Sequence, residues 1–301
     1  MWVHRAETAG GFHDETPPPT AGPPESRNCL LTRHERPGVP TTTTDDGVSL
    51  YYESAGSGET VAFVGEAGYG AWQWGWQHGA VAGPHEALVW DLRGTGRSDS
   101  PEGPYTVERL ARDLEAVLSA TDARRVHLVG AGLGGMVALR HARLFDRTAT
   151  LTLFDTAAAG DDVDEATLRS LQAPGTDREA LRESLAGVFT ESFLAQKEQV
   201  EQICDWRAEE DADAAAFDAQ VAAALSFDAG PLYELTIPAL VCHGLDDPVV
   251  PFEAGERLAE DLPRGTFEAV EGRHLAFVEH APAVSDRLLA FFDEHVSSEP
   301  F

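Results

Sequence analysis

Val126-His127-Leu128-Val129-Gly130-Ala131-Gly132-Leu133-Gly134-Gly135 is the stretch whose reading decides the fold. A β-favouring, mostly apolar segment runs into a cluster of glycines, and from about Gly134 to Phe145 the residues take on helical character. The stretch therefore predicts a buried strand that turns sharply into a helix. Glycine clusters of this kind let one backbone segment approach another without a Cβ between them.

Working outward, Ala149 to Phe154 is a second apolar, β-rich run just beyond that helix. Upstream, Val107, Leu110, Leu114, Val117 and Leu118 share one face of a helix over Thr106 to Thr121. Val61 to Val64 and Ala87 to Asp91 read as strands, and Asp45-Asp46-Gly47 between Thr41 to Thr44 and Val48 to Tyr52 reads as a hairpin turn. Continuous apolar strands alternating with helices predict an α/β fold, a mostly parallel twisted sheet with helices on both faces. The rhythm breaks at Ala157. Residues 157–235 carry helical spacing with no convincing strand, which predicts a helical cap inserted into a core made of 41–156 and 236–301. The alternation resumes with strands at Ala239 to His243 and Thr266 to Val270, and helices at Phe252 to Leu262 and Pro282 to Val296. Residues 1–40, rich in proline and poor in large apolar side chains, read as a disordered or weakly ordered extension without the apolar stretch of a secretory signal.

Composition limits the partners. Asp plus Glu total 51 against 22 Lys plus Arg, a formal net charge of -29, and Lys197 is the sole lysine. Such a surface repels polyphosphate, so nucleic acid and anionic membrane are not expected partners. Carboxylates with arginine in place of lysine suit a salt-saturated cytosol, where mutual repulsion is screened over a few ångströms, and a halophilic, cytoplasmic protein is expected. An ordinarily acidic protein is the plainer alternative. Cys29, Cys204 and Cys242 are too scattered for a disulfide framework or a zinc site.

Three further segments give the chain a family likeness. Trp90-Asp91-Leu92-Arg93-Gly94-Thr95-Gly96-Arg97-Ser98-Asp99 resembles the D-x-R-G-x-G-x-S-D turn after the fourth strand of α/β-hydrolases. His243-Gly244-Leu245-Asp246-Asp247-Pro248-Val249-Val250-Pro251 resembles the segment carrying their triad acid, with Asp247 at the matching place. Gly272-Arg273-His274 resembles the loop carrying the triad histidine. The likeness runs from about Thr41 to the end, including a cap after the sixth strand. It implies that the strand–turn–helix is the nucleophile elbow, normally G-x-S-x-G. At the nucleophile's position stands Gly132.

The likeness further implies that His274 and Asp247 form the acid–base pair, the acid fixing the imidazole tautomer. The plain alternatives are an Asp-Asp-Pro turn capping the next helix and a loop histidine satisfied by solvent. The oxyanion side departs from the pattern as well. Relatives commonly carry His-Gly after the third strand, whereas this chain has Gly65-Glu66 there, with Leu133 following the turn on the other side. If Glu66 points inward, its carboxylate opposes an oxyanion and is placed to pair with His274; otherwise it is one more surface acid.

A rival reading uses the same glycines. Gly130-x-Gly132-x-x-Gly135 satisfies the dinucleotide fingerprint of a Rossmann protein, and Asp155 trails it at a fitting distance to hold a ribose. Against it, the motif sits in mid-chain behind the Asp91 to Asp99 segment. Trp72, Trp74 and Trp76 read chiefly as residues packing a helix onto the sheet; alternatively Trp72 joins Phe189, Phe193 or Trp206 in walling an apolar pocket. Asp161-Asp162 and Glu209-Glu210-Asp211 read as solvated cap surface. The expectation is a hydrolase-family protein that takes a small, mostly apolar ligand or substrate under its cap, needs no cofactor or metal, and lacks serine-type acyl transfer. Whether it is an enzyme using His-Asp general-base chemistry or a non-catalytic ligand- or protein-binding relative stays open at this point, as do its substrate and oligomeric state.

Overall fold

The computed structural model describes residues 40–295. The expected extension, apart from Pro40, lies outside the described residues, as does Cys29. The sheet has eight strands: β1 (Thr41–Thr43), β2 (Ser49–Gly56), β3 (Thr60–Val64), β4 (Glu86–Trp90), β5 (Val126–Ala131), β6 (Thr148–Phe154), β7 (Ala239–Gly244) and β8 (Gly265–Val270). Their order is β1-β2-β4-β3-β5-β6-β7-β8, antiparallel at β1–β2 and β2–β4 and parallel from β4 onward. Strands β3, β5, β6 and β7 are buried along their whole length. Continuous apolar runs rather than alternating ones are what a sheet covered on both faces requires.

The core helices are α1 (Gly75–Val81), α2 (Val107–Ala120) and α3 (Leu133–Leu144). Between β6 and β7 come α4 (Glu165–Ser170), α5 (Arg178–Ser184), α6 (Glu191–Leu194), α7 (Lys197–Glu210) and α8 (Ala214–Leu225). The chain closes with α9 (Phe252–Asp261), α10 (Ala276–Glu279) and α11 (Ala281–Asp293). Side-chain oxygens of Thr106, Asp164, Asp177, Thr190 and Asp213 accept the first free amides of α2, α4, α5, α6 and α8. Each such cap contributes about 1 kcal/mol and fixes where its helix starts. Where the helical excursion leaves and rejoins the sheet its two ends are stitched together, Gly160 N–H donating to Phe227 O and Ala229 N–H to Ala158 O. A short bridge pairs Ala159 with Asp228.

The Asp91 to Asp99 segment is structural. Arg93 is buried in ion pairs with Asp113 and Asp46, Ser98 Oγ accepts the Tyr51 amide, and Asp99 accepts that of Ser49. It thereby ties the β1–β2 hairpin to α2 and to the end of β4.

Candidate functional site

The turn at Gly132 joins β5 to α3 with φ 48° and ψ -113°. That is strained ground for an L residue, at a cost on the order of 1–3 kcal/mol. The close approach inferred from the sequence is real: a Cβ on Gly134 would lie 2.1 Å from Val64 O, and one on Gly130 would lie 2.4 Å from Gly134 O.

Glu66, two residues beyond β3, points into this turn. Its Oε2 lies 1.3 Å from where a Cβ on Gly132 would stand, so the carboxylate fills the space a side chain there would need. Its Oε1 accepts two backbone amides, that of Leu133 at 3.1 Å and that of Ala67. Oε2 meets His274 Nε2 at 2.7 Å. On its other side His274 Nδ1 meets Asp247 Oδ2 at 2.9 Å. Asp247 is oriented by the amides of Val249 and Val250, which both donate to its Oδ1. The result is a linear array, Glu66–His274–Asp247, with His274 at 0% and Glu66 at 2% exposure.

Burial alone would push the His274 pKa down. The charge and hydrogen bond of Asp247 and those of Glu66 outweigh it and hold the imidazole well above its ordinary 6.5. Its place between two carboxylates favours the protonated ring, in which both nitrogens donate. Asp247 is buried too, which raises a carboxyl pKa, but His274 and His243 together hold it below its usual value. Asp246, the other acid of the pair, gives its backbone N–H to Gly272 O.

Beneath Asp247 sit two groups that the sequence reading left outside the site. His243 donates from Nε2 to Val250 O at 2.9 Å, 3.4 Å from Asp247 Oδ2. Asp155 accepts the Gly244 amide at 2.7 Å, and burial together with the charge of Asp247 raises its pKa. Asp155 is therefore committed to the support of the acid loop rather than free for a ribose. The space above the glycine turn is taken by Glu66, so the arrangement favours the elbow reading over the dinucleotide one. Among the described residues Asp155, His243 and Asp247 are close enough to one another to hold an ion. Against that, His243 Nε2, the ring nitrogen nearest Asp247, is spent on Val250 O.

Residues of the helical segment hold the loop that carries Glu66. Trp72 Nε1 donates to Asp211 at 2.9 Å, Trp72 N to Glu210 at 3.0 Å, and Ala212 N to Gly68 O at 2.8 Å. Arg207, 1% exposed, lies over the Tyr69 ring and donates to Asp211, Leu171 O and Ser184. Gln220 accepts from Gly68 N and donates to Arg93 O. Gly65 leaves the Gln73 side chain room to accept the Glu66 amide. Two readings of surface acids are corrected here. The Asp211 side chain is 8% exposed in its ion pair with Arg207, and burial followed by the charge of Asp91 pushes the Glu210 pKa up to about 8. Glu209 is exposed as expected. Trp72 and Trp74 pack as core residues, Trp74 stacking on Phe277 with centroids 4.7 Å apart, while Trp76 meets Trp206 edge-on and Phe189 meets Phe193.

The family model described as Alpha/beta hydrolase family matches residues 61–287, a stretch that runs from β3 into α11 and contains the whole array. The chain belongs to the alpha/beta hydrolase family. A protein of Variovorax paradoxus named as a carbamate hydrolase, RutD, is 32% identical over 80% of this chain and 95% of its own length. The 3-oxoadipate enol-lactonase 2 of Acinetobacter baylyi is 27% identical over 80% of this chain and 92% of its own. Among solved structures, a hydrolase from Pseudomonas aeruginosa matches 86% of this chain and 99% of its own, with TM-score 0.75 and 28% identity. The alpha/beta hydrolase fold, an eight-strand, mostly parallel sheet with helices and an inserted helical segment, is thus common to sequence and structure.

Proposed function

We propose that this chain is an alpha/beta hydrolase family member that handles a small, mostly apolar substrate under the cap formed by residues 157–235, without a serine nucleophile. The core in this reading is 41–156 and 236–301. His274 and Asp247 move the proton, Glu66 stands in for the missing hydroxyl at Gly132, and Gly65, Leu133 and Trp72 shape the surroundings. One observation carries the reading: a single carboxylate occupies both the nucleophile's place and the two amides that would stabilise a substrate oxyanion. Removing a nucleophile still leaves roughly 10³ to 10⁴ of acceleration where the oxyanion hole survives; here the hole is filled as well, so acyl transfer loses both supports.

While Glu66 is ionised, His274 is a proton donor on both sides; it becomes a base only after the charge on Glu66 is removed or displaced. This separates the site from a plain His-Asp dyad acting on water, and it separates an enzyme from a purely ligand-binding relative by whether that charge is ever consumed. The net charge of -29 and the single lysine support a salt-rich cytoplasm as the working environment, with no nucleic-acid or anionic-membrane partner. Among the described residues no helix is long and apolar enough to cross a membrane.

The test is exposure of the full chain, in concentrated KCl, to a fluorophosphonate probe and to short-chain p-nitrophenyl esters. No serine is labelled and no acyl burst appears, and any slow turnover disappears in His274→Ala. A phosphonylated serine, or an acyl-enzyme on any serine, overturns the reading.

A further inference from the structure

Resting on that reading, we propose that Glu66 is an autoinhibitory plug whose loop, residues 65–74, is drawn out of the site by the cap, and that Glu210 on α7 latches this movement against Asp91 just after β4. With the plug in place the site can receive nothing. Glu66 Oε1 takes the amides of Ala67 and Leu133, Oε2 takes His274 Nε2, and all four residues are buried.

The cap grips the plug's loop. Gly68 N–H donates to Gln220 of α8 at 2.7 Å, Gly70 N–H to Asp211 at 3.3 Å, and the Trp72 amide and indole to Glu210 and Asp211. In return Gly68 O accepts the Ala212 amide. The fit is close as well as polar: a Cβ on Gly68 would lie 2.4 Å from the Phe217 ring, and one on Gly70 2.4 Å from Glu210 Cβ. Sliding α7 and α8 past a stationary loop would break these bonds and force side chains into its backbone, so loop and cap move as one body. Their withdrawal takes Glu66 along and frees His274 Nε2 and two amides for an acceptor oxygen of the ligand.

Three acids meet at the latch: Asp91, Glu210 and Asp211. Arg207 neutralises Asp211 from the same helix and lies over Tyr69, while Arg97, paired with Glu53 of β2, faces Asp91 from the turn after β4. Glu210 has no ion-pair partner among the described residues, and Arg97 acts on it only at longer range. Burial, then the charge of Asp91, keeps Glu210 neutral up to about 8. A raised pKa stabilises the closed form in full below 4.5, and that contribution is lost as pH climbs toward 8. Ionisation places a second charge beside Asp91 and loosens the latch.

The experiment is residue-by-residue hydrogen exchange by NMR on the full chain in concentrated KCl, with the intrinsic base-catalysed rate divided out. Exchange reports openings far short of unfolding. Between about pH 5.5 and about pH 8.5 the Gly68, Trp72, Ala67 and Leu133 amides are expected to share one opening constant that grows at least about tenfold, while Leu151 and Leu153 in β6 stay protected. In Glu210→Gln, which keeps an acceptor for the Trp72 amide, that growth is expected to vanish. Opening at Gly68 and Trp72 with Ala67 and Leu133 still protected would show that Glu66 stays behind, and overturns the proposal. So does an opening constant that is flat with pH, or one that grows equally in Glu210→Gln. The amide comparison and the pH profile are read on the unaltered chain and do not depend on the variant folding. Any of these failures leaves the absence of serine labelling intact, whereas a labelled serine defeats the earlier reading on its own.

Discussion

Glu66 Oε2 and His274 Nε2 are 2.7 Å apart, in the space that a side chain at position 132 would need. The space beside the glycine turn is therefore occupied by a carboxylate arriving from the loop after β3. Glu66 and Asp247 approach the imidazole from opposite ends, each charge offsetting the desolvation of the one it faces.

Serine installed as Gly132→Ser cannot enter this turn while Glu66 keeps its place, because the new Cβ would lie 1.3 Å from Oε2. The single variant is expected to be destabilised and inactive on p-nitrophenyl acetate. Adding Glu66→Gly vacates both the serine site and the two amides. The double variant is expected to hydrolyse the ester where neither single variant does, read as initial rates with refolding checked by circular dichroism.

Truncating His274 strands two buried carboxylates. Removing one partner of a buried ion pair costs about 3–5 kcal/mol, and His274→Ala is expected to lose that order of stability in urea unfolding. The pH sign follows from the shifts. The raised imidazole contributes stability that is fully present below 6.5 and is lost as pH climbs through its higher folded value. The depressed Asp247 carboxyl contributes stability that is present above 3.8 and is lost as pH falls through its lower one. The difference in stability between wild type and His274→Ala is therefore expected to be greatest between those limits and to shrink outside them.

Glu210 reports on the clasp between α7 and the Trp72 loop. Its pKa rises from 4.5 to about 8, through burial and then the charge of Asp91, so the folded state favours the neutral acid. This contribution is present below 4.5 and is lost as pH rises toward 8. Thermal melts of wild type are expected to fall from pH 5 to about 9, and those of Glu210→Gln, which keeps an acceptor for the Trp72 amide, to fall less. Parallel curves would remove Glu210 from the clasp.

The fold was legible because β3, β5, β6 and β7 are buried throughout and so write themselves as unbroken apolar runs, and because the glycine turn, Asp247 and His274 keep their order along the chain. Glu66 was legible as an acid where relatives carry His-Gly. Its reach into the turn was one of two open readings, since direction depends on the Gln73 contact that orients its loop. Glu210, Asp211 and Arg207 escaped notice for a different reason. In a chain with 51 acidic residues an acid pair carries no signal of its own, and only the Trp72 loop folding back beneath α7 buries it. Asp155 fitted a ribose-binding pattern by spacing, while its partner, the Gly244 amide, lies 89 positions away.

Surface charge makes a separate prediction. Raising KCl from about 0.1 M to about 3 M shortens the screening length to a few ångströms or less. Melting temperature is expected to rise across that range as repulsion within a chain of net charge -29 is screened. A flat or falling profile would count against a salt-rich working environment.

The most direct measurement is proton NMR of His274 across pH, in wild type and in Glu66→Gln. An imidazole clamped between Glu66 and Asp247 keeps both ring N–H protons, in slowly exchanging low-field resonances, well above its ordinary 6.5; its pKa falls when Glu66 is neutralised. A His274 that titrates near 6.5 in the wild-type chain and is unmoved by Glu66→Gln would show that the carboxylate does not hold the imidazole at the elbow.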